Sequence, residues 1–139
     1  MYMKNNLISK ILKLMIVLAF VAISGCGDNP EIGIGPIKEV KLDAQINQDM
    51  ANKGKAIFEQ KCISCHKFNE KLVGPPLAGV TKKRKPEWLM NMMLNPIEMT
   101  QKNPAAQELY RQYLVQMTFQ DVTQDDARSI LEYFRSMDK

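Results

Sequence analysis

Cys62-Ile63-Ser64-Cys65-His66 holds two of the chain's three cysteines and its only histidine. Two thiols three positions apart can add to the two vinyl groups of one haem as thioethers, and the adjacent imidazole can then reach the iron. The spacing predicts one haem c, bound covalently through Cys62 and Cys65, with His66 as an axial ligand. Three other chemistries share part of the pattern. A Cys62–Cys65 disulfide suits an oxidising compartment, and a thioredoxin-like redox pair has the same spacing. Neither uses His66, and no βαβ alternation surrounds the motif. A structural zinc site wants four Cys or His ligands; with one histidine and no second cysteine pair it would have to recruit carboxylates.

An iron held by His66 has a sixth position, whose occupant decides between ligand chemistry and electron transfer. With no second histidine, bis-histidine ligation is excluded. Methionine is the next choice, and seven lie beyond residue 25: Met50, Met90, Met92, Met93, Met99, Met117 and Met137. Helical methionines are usually core fillers, and Met90, Met92 and Met93 cluster on an expected helix. Met117 sits between two expected helices, in the stretch Gln116 to Val122, where a loop can aim a sulfur without breaking a helix ladder. Met117 is therefore the leading candidate, with Met99 and a vacant or water-filled position as the alternatives.

The elements that must carry these residues read as helices. Met50, Gly54, Ile57 and Phe58 share a stripe that runs into Cys62. Pro86 opens a helix to about Leu94, ended by Asn95-Pro96, and Asn103-Pro104 forms a cap and first-turn pair for a third, through Leu109, Tyr113 and Leu114. Thr123-Gln124-Asp125-Asp126 resembles a capping box, and Ala127, Ile130, Leu131 and Phe134 supply the apolar face of the last helix. The expectation is an all-α bundle of about four helices around one haem, spanning residues 48–139. A domain this small buries only a modest share of its surface, so a covalent cofactor would add core that the chain cannot supply alone.

Before residue 48 the chain changes character. Lys4, Lys10 and Lys13 precede the apolar run Leu14 to Ile23, which is too short to span a bilayer. With Ile23-Ser24-Gly25-Cys26 it reads as an export signal over residues 1–25, and the last four residues resemble a lipobox that makes Cys26 the lipidated first residue. An uncleaved N-terminal anchor helix is the alternative. Residues 26–47, with Pro30, Gly33, Gly35 and Pro36, read as a lipid-anchored flexible tether reaching on the order of 25 Å, or else as a short strand around Ile37 to Leu42. Removing the leader leaves 16 bases against 15 acids, so no concentrated basic surface argues for nucleic acid.

Together these features resemble the class I cytochromes c, small single-haem electron carriers. The likeness runs from about Met50 to the end, through Cys62-Ile63-Ser64-Cys65-His66, Gly74-Pro75-Pro76-Leu77, and Met117 just before the last helix. The resemblance implies that Gly54 and Phe58 pack against Tyr133 or Phe134, and that the Pro75 carbonyl accepts a hydrogen bond from His66 Nδ1. It also implies that Trp88 gives its indole N–H to a haem propionate. One departure is that Thr118, not proline, follows Met117.

The function implied is a non-enzymatic electron carrier, exported to the periplasm and membrane-anchored. It would run between redox protein partners, a quinol-oxidising complex and a terminal oxidase or reductase, with no small-molecule substrate. A dedicated donor to one periplasmic reductase, such as a denitrification enzyme, is the narrower form. A peroxidase or gas sensor with an open sixth site is the competing class, and its distal acid–base group would lack a histidine. The run Lys82-Lys83-Arg84-Lys85 reads either as a solvated face or as a docking patch for an acidic partner.

Overall fold

A computed structural model describes residues 29–138. Among them the regular structure is entirely helical: α1 Gln48–Lys61, α2 Val80–Lys83, α3 Pro86–Leu94, α4 Pro96–Lys102, α5 Pro104–Tyr113 and α6 Gln124–Met137. The expected caps are in place. Asn103 Oδ1 accepts from the Ala105 and Ala106 N–H groups at the start of α5, and Thr123 and Asp126 form a reciprocal capping box on α6.

The first and last helices cross at closest approach where α1 has no side chain. A Cβ on Gly54 would run into the carbonyl group of Ser129. Just beyond that point Phe58 meets Tyr133 and Phe134, ring centroids 5.7 and 5.8 Å apart, and Phe68 joins them at 5.6 Å from Phe58. Edge-to-face and tilted rings at such distances stabilise a contact beyond their buried area alone.

The link between α3 and α5, which reads in the sequence as a connection, holds a further helix. Asn95 does end α3, leaving helical dihedrals at φ −143° and ψ 55°, but Pro96 then serves as the first-turn residue of α4. A proline that cannot continue one helix is suited to begin the next. Leu114, expected on the apolar face of α5, instead caps it in the left-handed region at φ 54° and is 81% exposed.

The expected flexible tether is corrected from Asn29 onward. Residues 29–47 form a strap fastened along the helices, and no strand forms at Ile37 to Leu42. Buried Asn91 is its main fastener: Oδ1 accepts from Ile37 N at 3.0 Å, while Nδ2 donates to the carbonyls of Ile37 and Ile32 at 2.8 and 2.9 Å. Asn103 Nδ2 donates to Pro30 O, Val40 N donates to Glu87 Oε1, and Arg135 donates to Asp43 O. Asn47 N donates to Glu132 Oε1. Burial would push the Glu132 carboxyl up, but Arg128, the Asn47 N–H and Arg135 outweigh it and hold the group below its usual value. The leader and Cys26 lie outside the described residues.

Asn91→Ala should orphan three backbone groups of the strap, two of them buried, and cost about 2–4 kcal/mol, read by denaturant unfolding. Protease cleavage between Asn29 and Asn47 should rise in the variant. Equal cleavage of both proteins would restore the flexible-tether reading.

Candidate cofactor site

The cleft is built outward from the end of α1. Cys62 N and Ile63 N both donate to Phe58 O, and the chain then turns tightly, with Cys65 N and His66 N donating to Cys62 O at 3.1 and 3.0 Å. That turn brings Cys62, Cys65 and His66 to one wall of a single cleft of about 980 Å³, its solvent-open mouth included. Both cysteines are free thiols. Burial, only partly opposed by Lys61, pushes the Cys62 thiol up.

His66 is fixed from behind. Gly74 N donates to Cys65 O at 2.8 Å, which brings the Gly74-Pro75 segment against the ring. A Cβ on Gly74 would collide with the imidazole, and the next residue places its carbonyl 3.1 Å from His66 Nδ1. Accepting that proton selects the tautomer with a bare Nε2, which has no hydrogen-bond partner among the described residues. Burial lowers the imidazole's pKa, with the Pro75 contact opposing, which favours the neutral ring.

A second wall comes from α5, where Ala106, Leu109, Tyr110 and Tyr113 fall at helical spacing along one face. Met92 of α3 and Thr100 of α4 reach the cleft, whereas Met90 and Met93 are buried in the core. The third wall is the loop from Val115 to Gln120, and Met117 is in it. Met99 is not. It is 0% exposed, and its Sδ accepts the Ile34 N–H at 3.0 Å, so the strap holds this alternative ligand away from the cleft.

The loop has its own supports. Gln116 Nε2 lies 2.9 Å from Met117 O, 3.1 Å from Thr100 Oγ1 and 3.4 Å from Pro96 O, tying the loop to α4. From α1, Lys61 Nζ donates to Gln120 O and Asp121 O at 3.0 Å each. These contacts do what a proline after Met117 would have done by ring rigidity. Sequence reasoning missed Gln116, Lys61 and Thr100. It missed the Tyr110 face too, though the spacing of Ala106, Leu109, Tyr110 and Tyr113 carried that signal.

One expectation is corrected here. Trp88 is buried away from the cleft lining, and its Nε1 donates to Asn103 Oδ1 at 3.0 Å, so the proton assigned to a propionate has another acceptor. The run Lys82-Lys83-Arg84-Lys85 contributes nothing to the cleft lining. Arg84 stacks 4.9 Å from the centroid of the Trp88 ring, and Lys85 pairs with Glu31.

The arrangement fits one haem. Two free thiols, an unpartnered imidazole nitrogen and a thioether on a separate loop line one cleft whose remaining walls are mainly apolar. Among the described residues, no group of three or more His, Cys, Asp or Glu side chains converges on a metal-holding geometry, which leaves the zinc alternative without a ligand set.

The family model described as Cytochrome c matches residues 51–138. The chain is similar to the solved structure of a cytochrome c from Rhodothermus marinus, at 41% identity and a TM-score of 0.73, covering 78% of this chain and 91% of that one. It is also similar to an engineered form of that cytochrome, at 40% identity and a TM-score of 0.73, covering 78% and 92%. The same engineered protein bound to a carbene intermediate matches at 40% and 0.70, with the same coverage. None of the curated proteins matches the chain at a significant level.

Gln116→Ala should loosen the loop while leaving His66 and both cysteines in place. The expected result in the haem-loaded protein is cyanide binding faster by roughly five- to thirtyfold, the factor for about 1–2 kcal/mol of lost hold on Met117. Stopped-flow absorption measures it, and an unchanged rate would remove Gln116 from the support of the loop.

Proposed function

We infer that this chain, which belongs to the cytochrome c family, is a single-electron carrier of an exported respiratory chain, with His66 and Met117 as the axial ligands of one haem. Members of the family transfer electrons through haem c bound covalently by cysteines, and Cys62 and Cys65 are the only cysteines in the matched residues. Haem c supplies a reversible one-electron couple between ferrous and ferric iron. The observation that carries the ligand assignment is the placing of the two sulfurs: Met117 lines the cleft with His66, while the Met99 Sδ is occupied by the Ile34 N–H.

The chain's own residues supply the rest. Pro75 O holds the Nδ1 proton, so the imidazole presents Nε2 in a fixed orientation in both redox states. Gln116 and Lys61 hold the methionine loop from two sides, which keeps the ligand set constant and the reorganisation on electron transfer small. Leu109, Met92 and Ala106 exclude water, favouring the less charged ferrous state and a raised potential.

The lining chemistry supports carriage over catalysis. No carboxylate lines the cleft, its one histidine is held at Nδ1, and Lys61 is bonded to the Gln120 and Asp121 carbonyls, so the commonest acid–base groups are not offered to an open iron site. The fold generally serves electron transfer. Cleft-lining Val73 and Tyr110 are exposed, and Phe119, in the loop between cleft-lining Thr118 and Gln120, is 55% exposed. An apolar rim of this kind suits brief contact with a redox protein partner, such as a quinol-oxidising complex or a terminal oxidase or reductase. Cytochrome c domains typically work outside the cytoplasm. No helix among the described residues is long and apolar enough to cross a membrane, and attachment through acylated Cys26 is the anchor that the leader motif favours.

Met117→Ala is the direct test. The ferric protein should lose the weak long-wavelength band of thioether ligation, become high-spin and show a lower midpoint potential. Cyanide should bind on the order of tenfold faster or more. Met99→Leu should leave the spectrum unchanged. Reversal of these two results would move the ligand to Met99.

A further inference from the structure

We propose that the face carrying Lys82, Lys83, Arg84 and Lys85 lies against an anionic phospholipid bilayer and leaves the haem cleft uncovered for its redox partner. The proposal rests on the anchoring of the chain through Cys26. Two independent features lead to it, one of chain length and one of charge.

Only Gly27 and Asp28 separate Cys26 from Asn29, where the described fold begins. The fold is firm at that point. Asn29 O accepts from Ile32 N and Gly33 N at 3.2 Å each, its side chain accepts from Glu31 N, and Pro30 O is held by Asn103 at 2.8 Å. Three residues of extended chain reach about 11 Å at most. Acyl chains on Cys26 would therefore hold the domain at the bilayer surface, with the neighbourhood of Asn29 turned toward the headgroups.

That neighbourhood is basic. Lys85 Nζ pairs with Glu31 Oε2, Arg84 stacks over Trp88, and Trp88 donates to the same Asn103 that holds Pro30. Lys82 and Lys83 follow on the adjoining turn, exposed and with no ion pair among the described residues. Glu31 and Glu87 act on Lys85, and the Asp138 carboxylate accepts from Gly79 N, Thr81 N and Thr81 Oγ1 at the turn that carries Lys82 and Lys83; Lys82, Lys83 and Arg84 themselves have no ion pair among the described residues, and Lys85 ties their run to the strap at Glu31. Charges within about a Debye length of anionic headgroups, 8 Å at physiological salt, are attracted by them. Neither the strap nor the basic run lines the cleft, so bilayer contact on this face does not close it.

The test is acetylation of the lipidated, haem-loaded protein on vesicles, read by mass spectrometry. Labelling of Lys82 and Lys83 is compared with that of Lys71, whose Nζ lies 5.0 Å over the ring of cleft-lining Tyr113. On phosphatidylglycerol-containing vesicles the ratio should fall about fivefold relative to pure phosphatidylcholine. It should recover in about 0.5 M salt, where the screening length is only a few ångströms. Equal ratios on the two vesicle types overturn the proposal, as does a fall at Lys71 instead. An N-terminal peptide without acyl chains overturns it together with the anchoring through Cys26. The absorption spectrum of the same samples reports separately on the haem and its ligands, so the electron-carrier reading stands or falls on its own.

Discussion

The contact between Gly54 and the Ser129 carbonyl sets how closely α1 and α6 approach, and two segments that line the cleft depend on that spacing. The Cys62 to His66 turn continues directly from the C-terminal end of α1, and the Met117 loop leads directly into the N-terminal end of α6. The separation of the two segments is therefore set where two backbones touch, and the rings of Phe58, Phe68, Tyr133 and Phe134 fill the space just beyond. Any side chain at position 54 would have to part the helices and with them the cleft. Lys61 closes the arrangement by bonding from the last turn of α1 to the carbonyls of Gln120 and Asp121.

What was legible in the residues was local. The Cys62-x-x-Cys65-His66 spacing, the caps at Asn103 and Thr123, and the methionine between two helices are each decided within a few positions; the structure shows both caps and places Met117 in the loop before α6. The strap was illegible because its fasteners are distant in sequence. Asn91, Glu132 and Arg135 lie more than 50 positions from the backbone groups they bind. Pro30, Gly33, Gly35 and Pro36 give the composition of a linker, yet Gly33 and Gly35 are small because Met99 and Asn91 occupy the space a Cβ would take.

Trp88 went astray for a related reason. Its indole N–H could be read as a donor, but the acceptor is set by Asn103, which the sequence revealed only as a helix cap. The same oxygen serves the Ala105 and Ala106 N–H groups and the indole, while the amide nitrogen holds Pro30. One side chain thus joins the strap, α3 and α5. The extra helix α4 was hidden in the same way, since Pro96 both ends one helix and begins the next.

The loop that carries Met117 is stiffened by hydrogen bonds from Gln116 rather than by a pyrrolidine ring, and this sets an order of events on warming. Hydrogen bonds at a loop are among the first to open, while a helix crossing as close as that of α1 and α6 opens only with the whole molecule. On the ligation proposed for Met117, the sulfur would come loose in a native-like state with its helices intact, before the protein melts. The colour of the iron site would then report a local opening that circular dichroism of the helices does not register.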